Sequence, residues 1–535
     1  MESRNPDLAP AGGVDMTAGE TRGHTRRDFL KGLTLHAAAG ASGITLLGQL
    51  TQNAERRTPE DLTERRGAPG RDKGKFVAIQ IGGRSFVDEG VDKCLDTLQE
   101  TGGVNVLMPT VFTYGTGLAG RQVHDEPLPD HGVQAYDEIH GGSYAKVHPE
   151  FYNESPIKDI RAPELGDFDV LADVIPKAQA RKMQVYALFE EAYNPRLMPG
   201  FEAVCEVDLY GRLGRTTCFN NPNARNFLMS MVSDWMTSND VDGLMWESER
   251  QGPLNNTIGA HFGSMAGRRS YISCFCQYCL RKGRDQGIDS ERARTGYMEL
   301  DRWVRETLSS PRSTDGTLVT FWRLLLQYPE IMAWERFWSR SQEEMYGMIY
   351  GTAKSIKPQA QVGWHIMHLI TMSPFYSADV SYERLTHVSD FIKPSTYNNC
   401  AGPRLAQYIR NVQSTVFRDM TADQVLEMTY QMMGLSNEPS LAQLPTAGLS
   451  GASVGVETRK AIADVNGQTP IYPGIDIDIP TGLNEKRTQP ADVKAATLAA
   501  LEAGAPGVVL SRKYAEMKLT NIAGAKEALR DFGAL

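Results

Sequence analysis

Cysteine is scarce in this 535-residue chain, and seven in all exclude a small disulfide-framework fold. No block of lysine and arginine occurs. The formal charge of −9, from 56 basic against 65 acidic residues, speaks against a dedicated nucleic-acid surface, because phosphate contacts need clustered cations. An unbroken apolar run of about 20 residues, the length of a membrane span, is also missing. No Gly-x-Gly-x-x-Gly turn follows the first strand-like segment, so the usual mark of an open dinucleotide-binding sheet is absent. Internal repeats and low-complexity tracts do not stand out. What is present is an ordinary globular composition, 41% hydrophobic and 23% charged, able to fill a sizeable core. Length leaves the domain count open, since barrels of alternating strands and helices run long as one domain.

Residues 1–50 read as a signal region. Thr25-Arg26-Arg27-Asp28-Phe29-Leu30-Lys31 precedes a weakly apolar, Gly- and Ala-rich stretch, Gly32 to Leu50, and the whole resembles a twin-arginine export signal. The competing reading is an amphipathic helix with two chance arginines. The stretch is too glycine-rich and slightly short for a span, so no stable membrane span is expected after processing. Such a signal implies the twin-arginine machinery as a partner and a periplasmic or extracellular destination. Residues 51–75, with Glu55-Arg56-Arg57 and Gly67-Ala68-Pro69-Gly70, read as a polar linker, and residues 76–535 as one catalytic domain.

From Phe76 onward, short β-branched or apolar runs alternate with longer amphipathic stretches, which favours a parallel sheet with crossover helices. The expected strands are Phe76 to Ile81, Val104 to Pro109, Gln184 to Phe189, Val241 to Trp246, Gln361 to Ile366, Asp390 to Pro394, Pro470 to Ile475 and Gly507 to Leu510. Helical patterns between them include Asp88 to Glu100, Asp167 to Arg181, Ala224 to Thr237, Tyr328 to Lys357, Val456 to Val465 and Pro490 to Ala503. Eight such units predict a closed (β/α)8 TIM barrel, with an open doubly wound sheet as the alternative. Long inserts after strands 2 and 4, Thr110 to Glu164 and Glu249 to about Thr314, fall on the C-terminal face, where barrel active sites are assembled. The first carries Tyr114, His124, His131, His140 and His148, which read as a structured lid.

The run Val241-Asp242-Gly243-Leu244-Met245-Trp246-Glu247-Ser248-Glu249-Arg250 carries the most information. At a period of two, Gly243, Met245, Glu247 and Glu249 share one side, so both glutamates are expected in the barrel mouth, with Trp246 enclosing them. Strand seven ends in Ile475-Asp476-Ile477-Asp478-Ile479, where both aspartates fall on one side. Paired carboxyls, one protonated and one ionised, are what glycoside hydrolysis demands. Glu247 or Glu249 is the expected general acid/base, Asp476 or Asp478 its ionised partner, and Arg250 the cation that splits the glutamate pair. Other strand ends supply groups suited to a carbohydrate substrate: Glu190 and Tyr193 after the third, Trp364, His365 and His368 after the fifth, Lys393, Tyr397 and Asn398 after the sixth, Arg512 and Lys513 after the eighth.

Cys274-Phe275-Cys276-Gln277-Tyr278-Cys279 has the local spacing of a structural zinc site lacking one ligand, and Cys218, just before the helix that leads into strand four, is the candidate fourth. Buried or disulfide-linked thiols are the alternative; folding in the reducing cytoplasm before export favours metal. In this arrangement the chain resembles family 42 β-galactosidases, of the clan of (β/α)8 glycoside hydrolases. In that family a lone cysteine before strand four and a later Cys-x-Cys-x-x-Cys share a zinc, and the acid/base glutamate ends strand four between them. The resemblance covers roughly residues 215–282 and implies a structural zinc on Cys218, Cys274, Cys276 and Cys279, with Glu247 or Glu249 as the acid/base. It departs from the family at strand four, where Trp246-Glu247-Ser248-Glu249 stands in place of Asn-Glu, and at strand seven, which offers aspartates for a glutamate. The expectation is therefore an exported glycoside hydrolase of open sugar specificity. The alternatives are a sugar-directed lyase or isomerase using Lys393, His365 or His368 as base, and a non-catalytic carbohydrate-binding protein.

Overall fold

A computed structural model describes residues 75–113, 123, 129–132, 140–190, 198–265, 271–309 and 314–535. The chain divides into two units, Met1–Gly70 and Arg71–Leu535, and every described residue belongs to the second. The signal expected over residues 1–50, nearly all of the linker, and Tyr114, His124 and Tyr193 lie outside the described residues.

Eight parallel strands among the described residues form the central sheet: β1 Phe76–Ile81, β2 Val106–Thr113, β3 Gln184–Glu190, β4 Gly243–Glu247, β5 Gln361–Ile366, β6 Phe391–Pro394, β7 Gly474–Asp476 and β8 Gly507–Ser511. They pair in the order β7-β8-β1-β2-β3-β4-β5-β6. Parallel bridges Ile392 to Ile471 and Ser395 to Gly474 join β6 to β7 and close the ring. The fold is the (β/α)8 barrel. Around it run α1 Val91–Gly102, α2 Ile175–Ala180, α3 Pro222–Ser238, α4 Glu330–Ile356, α5 Ala401–Ser414, α6 Gly451–Val465, α7 Pro490–Glu502 and α8 Leu519–Asp531. None of the described helices is long and apolar enough to cross a membrane.

Alternation along each strand builds the interior in layers. Phe76, Ala78, Val106, Met108, Tyr186, Leu188, Met245, Phe391, Tyr472 and Val509 form one cluster inside the barrel. Its aromatics plug the lower half: the Phe76 and Tyr472 rings stack with centroids 3.9 Å apart, and Tyr186 meets Phe391 at 5.7 Å. One step further along the same faces, the side chains turn polar at Gln80, Glu190, Glu247, His365, Lys393, Asp476 and Ser511, all buried. Register aligns them, since Glu190 pairs with Glu247, Glu247 with His365, and His365 with Lys393. Residues of the opposite parity, Trp246 and Trp364 among them, pack outward into the larger cluster between sheet and helices.

Several features differ from the expectation, among them the helix expected over Asp88 to Glu100, which is two helices, Gly83–Glu89 and Val91–Gly102, parted at Gly90 with φ of 83°. β2 runs on to Thr113, because Phe112 and Thr113 gain antiparallel partners in Ser143 and Gly142. Only Ile175–Ala180 of the expected helix Asp167 to Arg181 is helical, the residues before it forming turns. A hairpin, Cys205–Val207 with Leu213–Thr217, adds an excursion after β3 that turns at Gly211 with φ of 80°. Of the lid histidines, His131 lies 2.9 Å from Glu89 and His148 lies 2.6 Å from Asp234, so both tie the first insert to the barrel.

Candidate active site

The polar layer is one hydrogen-bonded network at the C-terminal mouth. Gln80 Nε2 donates to Glu247 Oε2 at 3.0 Å, and Glu190 accepts from Thr113 Oγ1. Lys393 Nζ donates to Tyr397 Oη at 2.6 Å, to His365 Nδ1 at 2.9 Å and to Gln80 Oε1 at 3.4 Å. Gly474 makes room for it, because a Cβ there would come within 2.6 Å of Lys393 Cε. An ammonium only donates, so His365 Nδ1 accepts and its Nε2 carries the proton. That nitrogen lies 3.3 Å from Glu249 Oε1, 3.5 Å from Glu247 Oε1 and 3.1 Å from Ser395 Oγ. The long helix α4 holds the segment in place: Gln342 Nε2 donates to Ser248 Oγ at 2.9 Å, and Glu335 Oε2 accepts the Leu254 N–H at 2.7 Å.

The two glutamates differ in exposure and in charge. Glu247's side chain is 1% exposed and Glu249's 32%. Burial, then the charge of Glu249, pushes Glu247 up to about 8, with Lys393 opposing. Burial works against ionisation of Glu249 as well, but the hydrogen bond from His365 and the charges of Arg512 and Arg404 hold it well below the usual carboxylate range. The pair therefore carries one proton and one negative charge at neutral pH. Lys393 is brought down to about 8 and His365 to about 3, both mainly by burial. Glu247, Glu249 and His365 place one potential ligand atom each within 4.8 Å of one another. With Nε2 protonated toward the carboxylates, the trio fits an acid–base unit better than a metal site.

On β7, Asp476 Oδ2 accepts the Cys400 N–H at 2.7 Å, and burial raises the acid to about 6. Asp478 does not share its place. Alternation holds only as far as the ladder, which ends at Asp476, and Asp478 instead accepts from Lys518 N at 2.9 Å and Asn521 Nδ2 at 2.7 Å, at the start of α8.

Several expected site residues face elsewhere. Trp364 has the parity opposite to His365 and donates its indole N–H to Val388 O among the helices. Trp246 likewise packs outward, on Phe189, Phe219 and Tyr346, so it does not enclose the carboxylates. Arg250 turns to the Cys205–Thr217 hairpin, lying 3.8 Å from the Phe219 ring centroid and 3.3 Å from Glu206. Arg512 and Arg404 act on the glutamates in its stead. Asn398 donates to Leu449 O and braces the loop after β6. His368 Nδ1 accepts from Arg404 Nη1 at 2.9 Å, which leaves its Nε2–H for Tyr397 O at 2.8 Å. Lys513 is buried beside the layer and lowered to about 8 by burial. Gln80 was missed, although its parity with Phe76 and Ala78 marks it. Arg404, on α5, carries no local signal.

Sulfurs of Cys218, Cys274, Cys276 and Cys279 form the second cluster, all within 4.8 Å of one another, with Cys218 3.5 Å from both Cys276 and Cys279. A disulfide needs about 2.05 Å, whereas four sulfurs about 2.3 Å from a tetrahedral zinc stand roughly 3.8 Å apart. The N–H groups of Val207 and Cys276 donate to Cys274 Sγ at 3.5 Å, and Asn220 Nδ2 to Cys279 Sγ at 3.4 Å, as suits thiolates. The cluster is buried and compatible with a zinc site.

No protein-family model and no curated protein matches the chain. Solved structures similar to it include a β-galactosidase from the haloarchaeon Halorubrum lacusprofundi, at 14% identity and a TM-score of 0.47 over 86% of this chain and 58% of that one. An α-L-fucosidase isoenzyme from Paenibacillus thiaminolyticus matches at 12% identity and 0.47 over 86% and 50%. A catalytic mutant of a GH42 β-galactosidase from G. stearothermophilus matches at 10% identity and 0.46 over 87% and 58%. The chain thus spans between 50% and 58% of the length of these structures, and at such identities the likeness concerns the fold alone.

Proposed function

We propose that the chain is an exported glycoside hydrolase that cleaves a carbohydrate at the barrel mouth. The observation that carries this reading is the splitting of Glu247 and Glu249 into a proton-holding and an ionised carboxyl. One oxygen of each lies within 4.8 Å of the other, and both lie beside the same His365 Nε2, at 3.5 and 3.3 Å. The pair therefore serves as one acid/base unit, Glu247 keeping the proton and the more exposed Glu249 facing the substrate. Asp476, ionised above about 6, supplies the second carboxylate from β7. Glu247 gives its proton to the leaving oxygen as the glycosidic bond breaks, and Asp476 attacks the anomeric carbon or takes a proton from the water that does.

Hydrolysis is better supported than lyase or isomerase chemistry. Lys393 and Arg404 already occupy the acceptor nitrogens of His365 and His368, and Lys393 itself is an ammonium donating to three acceptors. The four cysteines would hold one zinc in a closed structural site, supplying cross-linking and no catalysis. Arg26 and Arg27 would direct twin-arginine export. The test is incubation of purified protein with aryl glycosides and oligosaccharides. Released reducing ends support hydrolysis; unsaturated products absorbing in the ultraviolet would establish a lyase, and binding without turnover a carbohydrate-binding protein.

A further inference from the structure

Arg404 is a buried cation whose hydrogen bond goes to a neutral group. It stands on α5, 8% exposed, and its Nη1 donates to His368 Nδ1 at 2.9 Å. His368 is uncharged, held far below its usual range by burial and by Arg404 itself. The guanidinium lies 4.9 Å from the ring centroid of half-buried Phe262, from the insert after β4. Among the described residues no carboxylate stands at ion-pairing distance. Glu249 and Asp476 feel Arg404 only through space, and both do, so it stands within electrostatic reach of the two carboxylates of the proposed hydrolase. Lys393 shows the same pattern, donating only to Tyr397, His365 and Gln80.

Desolvating a guanidinium is costly unless an anion meets it, and its remaining N–H groups form a fork suited to a carboxylate or sulfate. Histidine and phenylalanine on its flanks fix its direction and add an apolar wall of the kind sugar rings pack against. We infer that Phe262, His368 and Arg404 form a subsite for the negatively charged substituent, carboxylate or sulfate, of an acidic sugar, so that the substrate is an anionic carbohydrate. The inference rests on the hydrolase reading for the reaction but not for the binding.

The experiment compares matched pairs on the full-length protein: 4-nitrophenyl glucuronide against glucoside, galacturonide against galactoside, and a 6-sulfated glucoside against its parent. Binding of a galacturonate trimer is measured in parallel by calorimetry. The expected result is an acidic-to-neutral ratio of kcat/KM on the order of 10² or more, the scale of one or two charge-assisted hydrogen bonds. Whether uronides or the sulfated glucoside carry that ratio identifies the anion. In Arg404→Gln the ratio should fall toward one, whatever the absolute rate, and Arg404→Lys should restore part of it. A ratio near one in the unaltered protein, a preference that survives Arg404→Gln, or neither turnover nor binding of the acidic probes would overturn the inference. Cleavage of neutral glycosides with no acidic preference keeps the hydrolase and removes this subsite. Arg404-dependent binding of the trimer without cleavage of any probe keeps the subsite and removes the hydrolase.

Discussion

Glu247 and Glu249 are chemically identical and titrate in opposite directions, because one lies deep in the barrel and the other reaches its rim beside His365 and two arginines. The proposed hydrolysis needs Glu247 protonated and Asp476 ionised. Turnover should therefore be bell-shaped in pH, lost as pH falls through about 6, where Asp476 gains a proton, and lost as pH rises through about 8, where Glu247 releases its own. A kcat/KM profile on any confirmed substrate checks this, and a flat profile between pH 5 and 9 would refute the assignment. Glu247→Gln, Glu249→Gln and Asp476→Asn should each lower turnover on the order of 10²-fold or more with the fold retained. The expected pair was legible from period two along β4. That Arg250 would leave it and Arg404 approach was not, since Arg250 follows the strand end and Arg404 arrives on a distant helix.

At the scale of elements, the four cysteines join three pieces that the barrel alone does not order: the hairpin after β3, the approach to α3, and the insert after β4. Cys274 receives N–H groups from the hairpin and from its own loop, and Cys276 sits at the start of the helix Gln277–Asp285. The insert opens immediately after Glu247, so this junction steadies the segment that carries the two glutamates at one remove. Protein purified without added metal should carry about one zinc per chain. Cys276→Ser should lose it and lower the unfolding temperature by roughly 5 °C or more, while turnover per folded molecule changes little. Elemental analysis together with calorimetry decides this, and an intact fold with no zinc would sink the assignment. The Cys-x-Cys-x-x-Cys spacing marked three ligands, while the fourth needed the chain to return, which spacing alone cannot state.

For the whole molecule, the twin-arginine reading makes a separable prediction. Arg26→Lys with Arg27→Lys should strand the protein in the cytoplasm, because the receptor reads guanidinium geometry and not bulk charge. Fractionation followed by immunoblotting checks it, and unchanged export of the double variant would remove the reading. By itself the amino-acid sequence determined the barrel, because strand and helix periods alternate eight times and each strand's parity is a local property. It determined equally that polar residues end those strands. Tertiary structure alone decided which of them meet. Trp364 and His365 are neighbours in the chain, yet one faces the helices and the other the mouth. Asp478 left the mouth once the ladder at β7 stopped, and Arg404 came within electrostatic reach of two carboxylates 155 and 72 residues away. Closure of a ring brings together residues from all its strands, and the charge each one holds depends on burial and neighbours that exist only once the ring has closed.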